Sequence, residues 1–217
     1  MCMGILIAPR YVLTTALCAK YNPKWVTINS TFRSGGDGEH IPILSSVVHP
    51  KYHLQSLTYD IAVLLLGRPS TNTPATLTFD SYEPGTEGIM RDFGQVNANG
   101  DFPYVLREAR GTITSIADCN QKYDVQHHFQ EDMMCVVGLT PCTGDNGGPL
   151  VVINKEGQEV VVVLESWRSP DCNGPYGGYT RLSASQDFIK PFLPGEDVCK
   201  RALERPSLKA IDDSLLA

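Results

Sequence analysis

No stretch of this sequence approaches the run of about 18 uninterrupted apolar residues that a membrane-spanning helix needs. Its greasiest segments, DIAVLLL and EVVVVLESW, have the length of buried strands. Dense runs of Lys and Arg are missing as well. With 18 basic against 24 acidic residues the formal net charge is -6, which argues against a phosphate backbone or an anionic membrane surface as the main partner. The first residues, MCMGILIAPRYVL, lack the charged start, long apolar middle and small-residue cleavage site of a secretory leader. CxxC pairs of the zinc-binding type are absent, although cysteine itself is plentiful: seven, at 2, 18, 119, 135, 142, 172 and 199. Of the five histidines, His40, His49, His53, His127 and His128, only the last two are adjacent, and they read as exposed loop histidines, so neither a metal nor a cofactor is expected. The cysteines instead read as disulfides, and disulfides belong to oxidising compartments. The expectation is a secreted protein whose leader and first residues lie upstream of Met1.

What is present is a β punctuation. Short segments rich in Val, Ile, Leu and Thr recur between Gly, Pro, Asn and Asp clusters: ILIAPRYVLTTAL, KWVTINSTF, IPILSSVVH, DIAVLLL, REARGTITSI, PLVVIN and EVVVVLESW. NKEG, at 154–157, joins two of them and suits a tight hairpin turning at Gly157. Only SASQDFIKPFL has apolar residues at helical spacing, with Ser183 or Ser185 available as a cap. Hydrophobic residues make up 42% of the chain, enough for a substantial core. The pattern predicts an all-β protein of two similar halves, 1–95 and 96–193. The remaining residues, 194–217, form a charged tail sparse in apolar residues.

Five stretches carry a resemblance that extends from Cys2 to about Leu193. YVLTTALC, YDIAVLLL, CTGDNGGPL, ESWRSPDC and GGYTRLSASQDFI resemble, in that order, the conserved words of the chymotrypsin-like serine proteases. The resemblance implies two six-stranded antiparallel Greek-key β-barrels, the first truncated at its N terminus, and a short C-terminal helix. It also implies a site where a serine attacks, a histidine takes its proton and a buried aspartate orients the histidine. Of these three positions only Asp60 keeps its residue. The histidine position holds Leu17, a hydrocarbon that can neither accept nor donate a proton. The nucleophile position holds Asn146, whose carboxamide nitrogen has its lone pair delocalised. Around them the former substrate cleft would comprise Thr140, Gly144, Ser166, Trp167 and Arg168. Thr140 brings no charge to select a basic or acidic side chain, and Arg168 either obstructs the cleft or swings into solvent.

The same resemblance pairs Cys2 with Cys18, Cys119 with Cys135, and Cys142 with Cys172, leaving Cys199 for a cysteine outside this sequence or for a second chain. Asn29 opens the sequon NST, an expected glycosylation site in a secreted protein. A chain with the scaffold but neither nucleophile nor base is expected to bind rather than cut. Losing either group alone lowers turnover about a million-fold in a related chemistry. Inactive homologues of this kind include the glucanase inhibitor proteins that plant-pathogenic water moulds secrete, and the chain resembles them in its altered triad and acidic balance. That resemblance implies a monomeric extracellular effector of the host apoplast, contributing to virulence by binding host endo-β-1,3-glucanases. The alternatives are a pseudoprotease regulator or adhesion domain of extracellular immunity, and a residual serine-type peptidase. Nucleic acid and membrane are not expected as partners.

Overall fold

The computed structural model describes residues 1–96, 100–122, 129–139, 141–167, 172 and 176–195. Five strands, β1 (Ile5–Ala8), β2 (Tyr11–Thr14), β3 (Trp25–Ile28), β4 (Glu39–Val48) and β5 (Ala62–Leu66), form an antiparallel sheet in the order β1-β2-β5-β4-β3. Six more close a barrel in the order β10-β11-β8-β7-β6-β9. These are β6 (Glu87–Asp92), β7 (Arg107–Thr114), β8 (Met133–Val137), β9 (Pro149–Ile153), β10 (Glu159–Trp167) and β11 (Tyr176–Arg181). Both sheets are barrel-like, as the resemblance implies, but the first has five strands among the described residues rather than six.

β1 ends that first sheet, and its outer edge is covered by the segment that leads to the second. Ser70 donates its N–H to the Pro9 carbonyl (2.6 Å) and Ala75 to that of Leu6 (2.8 Å). A few residues on, the same segment pairs with β10, Thr78 donating to the Val161 carbonyl and Val161 to that of Thr76. The crossing chain thus satisfies an exposed strand edge while tying the two sheets together. Because β6 pairs with β7 and β9, the change of sheet falls between Leu66 and Glu87, ahead of the residue-95 division read from the sequence. The turn-forming residues near 95 belong to the β6–β7 connection inside the barrel, which is why they imitate a boundary.

Alternation within the strands aims apolar side chains between the sheets. Ile5, Ile7, Leu13, Ile61 and Val63 from the first sheet meet Ile89, Val151, Val161 and Leu164 from the barrel in one buried cluster. Leu182, Ile189 and the half-buried Phe188 and Phe192 complete that cluster from the C-terminal side. Two short helices, α1 (Ala16–Lys20) and α2 (Ile116–Lys122), come earlier in the chain; the segment that supplies these residues is also helical, as its spacing predicts, but in three short pieces: a 3-10 turn at Ser183–Ser185, α3 (Gln186–Ile189) and a second 3-10 turn at Lys190–Phe192. Ser185 makes no side-chain capping bond; its hydroxyl is buried, and packing rather than capping sets the helix start. Pro191, lacking an N–H, fits the tight final turn. The NKEG turn forms between β9 and β10, Asn154 and Gln158 closing it and Gly157 adopting φ 79°.

Disulfides join Cys2 to Cys18, Cys119 to Cys135, and Cys142 to Cys172, the pairs that the resemblance implies. No helix among the described residues is long and apolar enough to cross a membrane.

Candidate functional site

β2 runs into Thr15, whose hydroxyl accepts the Cys18 N–H and so starts the short helix α1 (Ala16–Lys20). That cap fixes where Leu17 stands, half-buried at the junction of the two sheets. Asp60 arrives from the other direction, just ahead of β5. Tyr59 has φ 50° and Ile61 bonds back to the Tyr59 carbonyl (2.8 Å), a local reversal that turns the Asp60 carboxylate inward, where it is fully buried.

Both Asp60 oxygens have donors. Oδ1 accepts the Leu17 N–H at 2.8 Å and Oδ2 the Ser166 hydroxyl at 2.7 Å. Burial dominates even so and pushes the Asp60 carboxyl up to about 6, with the bonds from Ser166, Leu17 and Ala16 pulling the other way. Ser166 is the hinge of the site. It is 5% exposed and occupies the irregularity in the β10–β11 ladder between Glu165 and Trp167, so its carbonyl is free of the strand pairing. Asn146 Nδ2 donates to that carbonyl at 2.7 Å. The carboxamide is therefore committed to the scaffold at its donor end, and Asp60, Ser166 and Asn146 form one chain of bonds with the Ser166 hydroxyl and carbonyl, not an imidazole, linking the carboxylate to position 146.

The turn carrying Asn146 is held from several sides. Its carbonyl accepts the Met3 N–H at 2.7 Å, and the Met3 carbonyl accepts from the Thr14 hydroxyl, also at 2.7 Å. Gly147 donates to the Glu165 carbonyl and Glu165 to that of Gly148, each at 2.8 Å. Gly147 adopts φ 86°, and a Cβ there would lie 2.2 Å from the Met3 carbonyl oxygen; only glycine permits this approach. The Cys2–Cys18 bridge keeps the Met3 segment against α1, and the Cys142–Cys172 bridge anchors the turn's other end.

The triad positions Leu17, Asp60 and Asn146 are linked here through Ser166, one of the expected cleft residues, while Gly144 lies beside Phe102 and Gly94. Gly144 has φ 108°. Ser166 faces inward, so its place in the site is that of a support for Asp60 and Asn146 rather than an exposed contact. Trp167, half-buried, packs edge-to-face on Phe129 with 5.7 Å between ring centroids. Thr140 and Arg168 lie outside the described residues, as do His127, His128, Cys199 and the tail from 196 onward. Asn29 is exposed at the end of β3 with φ 57°. One carboxylate at the site was missed by sequence reasoning: Asp92, at the end of β6, lies against Asp145. Nothing in the local sequence signals it, because the two are brought together by the barrel closing.

Comparison with known proteins agrees with this geometry. A model of the trypsin family matches residues 1–189. Among curated proteins, glucanase inhibitor protein 2 of Phytophthora infestans is 30% identical over 208 residues, covering 90% of this chain and 79% of its own length. Glucanase inhibitor protein 3 of the same organism is 31% identical over 209 residues with the same coverage. Among solved structures, neuropsin, a serine protease expressed in the limbic system of mouse brain, superposes with a TM-score of 0.77 at 27% identity, covering 88% of each chain.

Proposed function

The chain belongs to the trypsin family, and as a trypsin-like protein of the glucanase inhibitor type it is, we propose, a secreted member without catalytic activity that acts by binding. Its target is a host plant endo-β-1,3-glucanase, and the outcome is suppression of the glucan fragments that elicit defence. One observation carries the loss of chemistry: Asp60 gives its two oxygens to the Leu17 N–H and the Ser166 hydroxyl, while Asn146 is tied to the Ser166 carbonyl. A base has no place between them, and an amide nitrogen is no substitute for an activated hydroxyl.

What survives supports recognition. Three disulfides hold the loops around the former site, and rigid scaffolds bearing exposed loops serve as binding devices. Disulfides also favour an extracellular location, and exposed Asn29 would carry glycan there. Residues 1–193 act as one trypsin-like unit, with 194–217 appended. Contact falls on the rim of the former cleft, around Gly144 and Trp167 and continuing through Thr140 and Arg168. Asn146 already takes one lone pair of the Ser166 carbonyl, so an extended partner segment adding to β10 would have to share that acceptor, and the contact is placed on the loops instead.

The test is a titration of the purified chain against a plant endo-β-1,3-glucanase hydrolysing laminarin. Inhibition saturating at an equimolar ratio, with a co-eluting complex on size exclusion, is expected. Full glucanase activity at several-fold excess, without a complex, removes the glucanase as partner. Labelling of the chain by a fluorophosphonate, which reports an activated serine, would remove the inactive reading separately.

A further inference from the structure

Behind Asn146 the loop rests on a carboxyl pair that the proposed binding role does not use. Asp145 is 3% exposed. Its Oδ2 accepts the Cys142 N–H at 2.7 Å, and its buried Oδ1 lies against the Gly94 backbone, whose N–H favours the ionised form. The group facing it is Asp92, which accepts the Gly94 N–H on Oδ1 at 3.3 Å, so that both carboxyls rest on the Gly94 backbone. Two ionised carboxylates offer acceptors only, so a bond between them requires a proton on one.

Geometry leaves little room to avoid this. Asp145 lies so close to the Gly94 backbone that a Cβ at 94 would sit 1.9 Å from Oδ1. Gln95 donates its N–H to the Thr143 carbonyl at 3.0 Å, so the 142–148 loop and the 93–95 segment are already seamed together on either side of the acid pair.

We propose that Asp92 and Asp145 share one proton that clamps the 142–148 loop onto the 93–95 segment, making the order of that loop a pH-gated property of the fold. This concerns the loop itself and stands whichever partner the chain binds. Burial is the main cause that keeps Asp145 protonated, to about 7, and the charge of Asp92 is the next. Asp92 is raised too, chiefly by burial.

Arg107, opposite Asp92 across the β6–β7 pairing, is the nearby cation and favours the ionised form of Asp92. From β11, Tyr179 is fully buried and neutral, its hydroxyl on Met90 Sδ at 3.3 Å, held protonated by burial and by the charges of Glu165, Asp145 and Asp92. Arg33 reaches the loop only through Phe102, lying 4.2 Å over that ring, which packs on Gly144. No cation is bonded to Asp145 among the described residues. When the shared proton leaves, two like charges therefore face each other in a buried site, and the loop separates from 93–95.

Hydrogen exchange of peptides covering 142–148 and 62–66, read between pH 5 and 8.5 and corrected for the intrinsic rate, tests this. In the unmodified chain, protection of 142–148 should be flat at low pH and then fall by about tenfold per pH unit once the pair titrates, as linkage of one proton requires; β5, which follows global stability, should fall less steeply. Asp92→Asn supplies an amide donor in place of the proton and should hold the protection of 142–148 constant across the range. A fall that persists unchanged in Asp92→Asn, a flat profile in the unmodified chain, or a parallel fall in β5 overturns the proposal. If Asp92→Asn does not fold, Asp145→Asn is read in the same way.

Discussion

Returning a serine to position 146 would restore a hydroxyl but not a group to deprotonate it. Leu17 stands where a base would have to be, and its backbone N–H is already bonded to Asp60. Asn146→Ser should therefore leave hydrolysis of chromogenic peptide esters and amides at the buffer rate; measurable turnover in that single variant would refute the inactive reading. A second residue-scale expectation concerns Gly94. Its missing Cβ leaves the notch that Asp145 fills, so Gly94→Ala must displace either a buried carboxyl or the backbone. Such overpacking costs roughly 1–3 kcal/mol, to be read as a lower urea midpoint with unchanged slope. The sequence made Leu17, Asp60 and Asn146 legible because each sits in a motif of fixed wording. Ser166 as the hinge between Asp60 and Asn146, and Asp92 as the neighbour of Asp145, were not legible as such, since those bonds span 106, 20 and 53 positions along the chain.

At the level of elements, strands were legible where the run was long and β-branched, as in EVVVVLESW and DIAVLLL. β6, EGIMRD, and β8, MMCVV, did not announce themselves. The first carries glycine and charges, and both owe their place to pairing inside the closed barrel rather than to propensity. The C-terminal helix was legible by its spacing, but its start was not. The serines offered as caps are overridden by burial, with Leu182 and Ile189 fully inside the cluster shared by both sheets. That docking has a consequence: Ile189→Ala removes a side chain that touches the junction rather than a solvent face. It should cost about 2–5 kcal/mol, seen in equilibrium unfolding with the disulfides intact, although α3 is only four residues long. A loss under 1 kcal/mol would show that the segment merely lies on the surface.

Across the whole molecule, buried carboxyls with raised affinities for protons set the pH dependence. Asp60 moves from 3.8 to about 6 and Asp145 from 3.8 to about 7, both chiefly by burial. Between those limits the folded chain holds more protons than the unfolded one, so stability is fully present below about 4 and is lost as pH rises through about 7. Asp60 alone can account for roughly 2–3 kcal/mol of that loss. Glu39 acts in the opposite sense. Bonds from Ser70 and then Arg68 lower it to about 2, so its contribution is present above its ordinary value of 4.5 and is lost as pH falls through about 2. The unfolding free energy should consequently peak near pH 4–5 and decline toward neutrality; a curve that rises from 5 to 7.5 would contradict the assignment of these buried acids. The sequence by itself determined the β class, the family wording, the cysteine set and the identity of the residues at the three triad positions, because each is a local property of composition, period or motif. Only the tertiary structure decided that β6 belongs to the second barrel, that the linking segment seals the edge of β1, and that Asp92 meets Asp145. Those depend on which distant backbones and carboxyls the closing of the sheets brings within bonding distance, and in such buried places the loss of water, not the residue type, sets the protonation of an acid.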